Sequence, residues 1–136
     1  MITLRGYDSD SGYVYYDTEI LPSGQTIHIG FQEGRSNDKY NYNIYLVISH
    51  KRRQADATVL KQTGKDGLKG LLWAKRKIAE FEEFIKTEKP GVPIIIYCWW
   101  DDNRRRDTYA KGLKPMGYRF THLFGYKVLS KTIMPA

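Results

Sequence analysis

The stretch richest in phosphate-binding chemistry is Leu60-Lys61-Gln62-Thr63-Gly64-Lys65-Asp66-Gly67-Leu68-Lys69-Gly70. Gly64, Gly67 and Gly70 carry no side chain to cover the backbone amides, and Lys61, Lys65 and Lys69 add positive charge. At a helix start such amides form an anion nest, with the positive end of the helix dipole behind it. A glycine loop that only caps a helix has the same composition, so the turn alone names no ligand. Downstream, Asp101-Asp102-Asn103 supplies caps for a short helical run. The acid–base candidates near the turn are His50 and Asp56, and neither has a partner at a telling spacing. His28 lacks a second metal ligand at a useful distance along the chain and reads as a surface or partner-facing histidine. Cys98 is the single cysteine and sits inside an apolar run, so it reads as core rather than nucleophile.

These groups need elements to hold them. In the first sixty residues the pattern is that of antiparallel strands. Gly12–Thr18 is rich in strand formers, Leu21-Pro22-Ser23-Gly24 is turn chemistry, and Gln25–Phe31 alternates so that Ile27, Ile29 and Phe31 share a face. A loop is expected at Gly34–Lys39, then a mostly apolar and central strand, Tyr42–Ser49, a basic turn at Lys51-Arg52-Arg53, and a weaker strand at Ala55–Leu60. From Leu68 the period changes to 3.6. Leu68, Leu71, Leu72, Ile78, Phe81 and Ile85 mark the buried stripe of a long helix, with Thr63 or Asp66 as its cap and Pro90-Gly91 as its stop. The run Val92–Trp100 has no polar alternation up to Tyr97, as in a strand covered on both faces. A second, shorter helix follows from Arg104 to Leu113, capped from Asp101-Asp102-Asn103, and Tyr118–Leu129 closes the chain with a hairpin about Phe124-Gly125.

The totals set the class. At 136 residues the chain is expected to be one domain, 1–136, with antiparallel strands in 1–60 and turn, helix, strand, helix and closing strands in 61–136. One cysteine excludes an intrachain disulfide framework and suits a reducing compartment. There is no apolar leader at Met1–Arg5 and no run long enough to span a bilayer, so a soluble, cytoplasmic protein with no membrane partner is expected. The formal net charge is +7, and the whole of the excess lies after residue 60, in the half that carries the glycine turn. Such a surface attracts a polyanionic cofactor, an acidic partner or nucleic acid.

In this order the residues resemble the GNAT superfamily of acyl-coenzyme A-dependent N-acetyltransferases. The resemblance covers roughly Ala55 to Val128 and rests on two anchors. One is the turn Gln62–Gly70 with the helix after it. The other is the apolar strand followed by Asn103, the short helix and Gly117-Tyr118. It implies an α/β (α+β) fold: a mixed, mostly antiparallel central sheet, a long helix after a glycine turn and a second shorter helix. It also implies acetyl-CoA as cofactor, bound through Leu60, Lys61, Gln62, Gly64, Lys65, Gly67, Lys69, Gly70 and Asn103. The acceptor would be a small-molecule or protein amine. In active members a tyrosine four residues before the Gly of the closing motif protonates the departing thiolate. Leu113 holds that position here and Tyr109 lies one helical turn earlier, making Tyr109 the candidate acid.

Two other expectations stand beside acyl transfer. A GNAT-like fold kept for binding or structure, without turnover, resembles small internal virion proteins of short-tailed phages. A basic nucleic-acid-binding module would use Arg104-Arg105-Arg106, Lys51-Arg52-Arg53 and exposed tyrosines.

Overall fold

A computed structural model of the chain describes residues 4–36, 39–50, 53–54, 67–100 and 103–134. Four strands come first: β1 (Arg5–Ser9), β2 (Gly12–Ile20), β3 (Thr26–Ser36) and β4 (Lys39–His50), each antiparallel to the next. A two-residue strand, β5 (Arg53–Gln54), folds back on the end of β4. Helix α1 (Gly67–Glu88) leads to β6 (Ile94–Cys98). Helix α2 (Asn103–Leu113) and a 3₁₀ turn at Lys114–Met116 lead to the hairpin of β7 (Arg119–Leu123) and β8 (Tyr126–Ile133). The sheet order is β1-β2-β3-β4-β6-β8-β7, a mixed α/β arrangement that is antiparallel everywhere except at β4–β6. Two adjacent parallel strands cannot be joined by a tight turn, and α1 lies in the crossover between them.

Alternation decides which side of each strand meets the helices. In β3, Ile27, Ile29 and Phe31 are wholly buried. They share a core with Tyr42, Ile44 and Leu46 of β4, with Ile94, Ile96 and Cys98 of β6, and with the α1 stripe Trp73, Ala74, Ile78, Phe81 and Ile85. Phe81 is the pivot. Its ring stacks on Phe31 at 4.0 Å and meets Tyr42 edge-on at 5.1 Å. Burying a side chain of this size contributes about 1.5–3 kcal/mol. Lys77 ties the flank of α1 to β2 through Asp17 at 2.7 Å, and α2 packs its Ala110 and Leu113 into the same core.

The opposite face carries the other parity: Tyr16, His28, Gly30, Asn43, Tyr45 and Tyr97. His28 stacks between Tyr16 and Tyr45, and its Nδ1 lies 2.9 Å from Thr18 Oγ1. Tyr45 lies over Gly30, where any Cβ would collide with its ring, so glycine is required there.

The structure corrects several boundaries. The loop expected at Gly34–Lys39 is largely strand, because β3 runs to Ser36 and β4 begins at Lys39, pairing Ser36 with Lys39. The strand expected over Val92–Trp100 is only Ile94–Cys98. Gly91 adopts positive φ and Pro93 offers no N–H to a ladder, while Trp99 and Trp100 leave the sheet. Gly67 and Gly70 belong to the first turn of α1 rather than to a preceding loop. The strand β1 had no counterpart among the expected elements; it pairs with β2 across the turn at Asp10-Ser11. The expected strand Ala55–Leu60 and the caps Thr63 and Asp66 lie outside the described residues. Tyr42–Ser49 lies centrally within β4, and the Phe124-Gly125 hairpin forms with both residues at positive φ, the conformation that matches strand twist.

Candidate functional site

The parallel pair β4–β6 is registered only from Tyr40↔Ile94 to Ile44↔Cys98. Beyond that point β4 continues to His50, whereas β6 ends. On that side, among the described residues, β4 next pairs only at Ser49 and His50, with β5. Among the described residues Tyr45 to Ile48 thus have no ladder partner on this edge, which lies next to a cavity of about 180 Å³. Ligands of sheets with parallel strands gather at such carboxyl ends, where the chain diverges.

Strand parity divides the cavity wall. Ile44, Leu46 and Cys98 come from the helix side, facing Leu71, Ala74 and Ile78 of α1 and Gly112 and Leu113 of α2. Asn43 and Tyr45 also border it, although their side chains belong to the opposite sheet face and the Tyr45 ring lies over Gly30, and Trp99 lines it as well. Trp100 and Tyr109 complete the wall. The side chain of Trp99 lies 4.9 Å from Tyr126, and Trp100 meets Phe120 edge-on at 5.7 Å; these contacts hold the two indoles apart. Among the described residues that line the cavity, Lys75 is the only charged one, and none is a carboxylate or histidine. Asn43 Oδ1 is buried with no hydrogen-bond partner. Leaving a buried acceptor unmet costs about 1–3 kcal/mol.

The positions read from the sequence are distributed as follows. Tyr109 lines the cavity one turn before Leu113, which lines it too. Gly67 and Gly70 form the start of α1, Lys69 is exposed beside them, and Leu71, in the next turn, is part of the wall. The first turn of α1 holds no acidic residue, so nothing in it offsets the helix dipole. Asn103 is the exposed first residue of α2. Leu60, Lys61, Gln62, Gly64 and Lys65 lie outside the described residues, as do Asp56, Lys51 and Arg52. Of the Arg104–Arg106 run, Arg106 is paired with Asp107 at 3.0 Å. His28 sits on the sheet face away from the helices; burial lowers its pKa and Asp17 opposes that shift. Cys98 is in the wall, but burial pushes its thiol up to about 12, which leaves it a poor nucleophile.

Sequence reasoning missed Asn43, Tyr45, Trp99 and Trp100. The available signal was Asn41 and Asn43 interrupting an otherwise apolar strand, together with paired tryptophans at a strand's end.

A buried network fixes the far side of α1. The Tyr118 hydroxyl donates to Glu82 Oε2 at 2.9 Å, and Lys131 Nζ donates to Glu82 Oε1 and to the Met116 carbonyl, each at 2.9 Å. Tyr118 is wholly buried, and burial followed by the Glu82 carboxylate holds its phenol far above the usual range. The three side chains join α1 to the end of α2 and to β8.

No protein-family model, curated protein or solved structure gives a significant match to the chain. No helix among the described residues is long and apolar enough to cross a membrane, and no group of three or more metal-ligating His, Cys, Asp or Glu side chains converges among them.

Proposed function

We propose that the chain is an acyl-CoA-dependent N-acetyltransferase of GNAT-like fold that acts on an amine. The observation that carries the reading is the cavity at the parting of β4 and β6, with the start of α1 at one end and Tyr109 in its wall.

The residues present fit the cofactor. Coenzyme A has a phosphorylated end and an extended arm with two amides. The amides at the start of α1, unopposed by acid in the first turn and flanked by Lys69, suit the pyrophosphate. The edge of β4 from Tyr45, which has no ladder partner among the described residues, suits the arm, because a strand edge binds extended amides as it would another strand. The apolar side of the cavity, Ile44, Leu46 and Ile78, keeps water from the thioester. When bound, the cofactor supplies an activated acetyl group. Tyr109 would give a proton to the departing thiolate, and the proton shed by the acetylated nitrogen would restore the phenol by way of solvent.

Two measurements test this. Saturating acetyl-CoA should raise the melting temperature, since a ligand of the native state stabilises it by mass action, by about 2.7 kcal/mol at a hundredfold excess over Kd. Tyr109→Phe should bind acetyl-CoA normally and lose turnover with amine acceptors. An unmoved melting temperature removes the enzyme reading. Binding without turnover in the wild type leaves the non-catalytic GNAT-like protein as the answer.

A further inference from the structure

We propose that the helix-side cavity binds a compact organic anion, a monocarboxylate with a hydrocarbon body of about seven carbons and its head beside Lys75. Such a site needs only the helix-side wall and one lysine, so it stands apart from the acyl-transfer reading.

The hydrocarbon body follows from the walls. Leu71, Ala74 and Ile78 of α1, Ile44 and Leu46 of β4 and Leu113 of α2 line the cavity, and all are aliphatic. A cavity of about 150 Å³ with such a lining takes up benzene. At about 180 Å³ this one has room for about seven carbons on the same scale. The anionic head follows from Lys75. Leu71, Ala74, Lys75 and Ile78 have the i, i+3, i+4 and i+7 spacing of one helical face, so the lysine stands within the stripe that α1 turns to the cavity. Its stem passes Gly112 of α2, where an added Cβ would lie 3.8 Å from Lys75 Cδ. Lys75 is half-buried and forms no ion pair with a described residue, whereas Lys77 of the same helix is paired with Asp17 and Glu80, and Lys86 with Glu83. A lysine in such a place buries its methylenes and keeps the ammonium where water or a counter-ion can reach it. An aliphatic recess with one unmatched cation at its border complements a chain that carries one negative charge. A neutral hydrocarbon would leave that cation unmatched, and an alkylammonium ion would be repelled by it.

The probes are butanoate, hexanoate, octanoate and decanoate, with hexylamine as the cationic counterpart of hexanoate, titrated at pH 7 and low salt by calorimetry and tryptophan fluorescence. Affinity should rise about fourfold per methylene from butanoate to hexanoate and level off beyond about octanoate, once the cavity is full. Hexanoate should bind about tenfold more tightly than hexylammonium, as expected of one charge-assisted hydrogen bond. In Lys75→Met, which keeps the stem and removes the charge, that ratio should fall to about one while the gain per methylene remains. Lys75→Gln should lose the ratio in the same way, so the test survives if one of the two variants fails to fold. Affinity that ignores chain length, or that climbs unchanged to decanoate, overturns the proposal. So does equal binding of hexanoate and hexylammonium by the wild type, or a ratio that persists in either folded variant, since the preference would then come from charge elsewhere on the protein. Hexanoate binding without any response to acetyl-CoA sinks acyl transfer and leaves the anion site standing. A response to acetyl-CoA with no hexanoate binding does the reverse.

Discussion

Replacing Tyr118 with phenylalanine isolates one hydroxyl in the network that fastens α1 to the closing strands. The ring stays, so the core volume hardly changes, but Glu82 loses the donor at 2.9 Å and keeps Lys131. Glu82 is only 8 % exposed, so water cannot easily replace the lost partner. A hydrogen bond to a charged group contributes about 1.5–3 kcal/mol, which is the expected loss at pH 8 in urea denaturation. The pH dependence supplies a second test. Burial first, and then the Glu82 charge and hydrogen bond, hold the Tyr118 phenol far above its unfolded value. Its contribution is therefore complete below about pH 10 and is lost as the pH rises beyond it, because the unfolded phenol ionises and the folded one does not. By about pH 11 that single group costs the wild type about 1.4 kcal/mol, a penalty Tyr118→Phe does not suffer. All other titrations are common to the two proteins, so the stability gap between them should narrow by this amount from about pH 8 to about pH 11. A gap that is constant with pH, or a variant as stable as the wild type at pH 8, refutes the reasoning.

Three more outcomes follow from the packing. Phe81→Ala empties the space between Phe31, Tyr42 and Tyr15, and should cost about 3–5 kcal/mol in a denaturant titration; a loss below about 1 kcal/mol would mean that the helix does not dock here. Gly117→Ala should destabilise by more than about 1 kcal/mol, since its φ of 100° strains any side chain and the added Cβ would sit 3.4 Å from Lys131 Cε. An unchanged melting temperature would contradict that backbone conformation. Cys98, buried and with its thiol pushed up to about 12, should resist thiol reagents at pH 8 until the protein unfolds. Fast modification of the native state would show that the cavity wall opens.

Much of the scaffold was legible because it depends on local periodicity. The alternation of Ile27, Ile29 and Phe31 and the 3.6-residue stripe through Ile78, Phe81 and Ile85 put the buried faces where they are found. Turn chemistry did the same for Leu21–Gly24, where the Gly24 amide donates to the Leu21 carbonyl, and for Phe124-Gly125. Misreadings arose where pairing overrides composition: Gly34-Arg35-Ser36 looks like a loop, yet a long β4 partner holds it extended. Likewise Gly67 and Gly70 suggest a turn but are helical, since the packing of α1 outweighs the modest cost of glycine in a helix.

Apart from β1 and the undescribed Ala55–Leu60, the sequence by itself determined the order of elements, the faces they bury and the placement of charge, because each depends on residues close together along the chain. Tertiary structure decided the cavity. Asn43 and Trp99 are far apart in sequence, and they share a wall only because β4 lies parallel to β6 and outlasts it. Neither the length mismatch of two strands nor an orphaned amide oxygen can be read from either segment alone, since both describe what the other segment fails to supply.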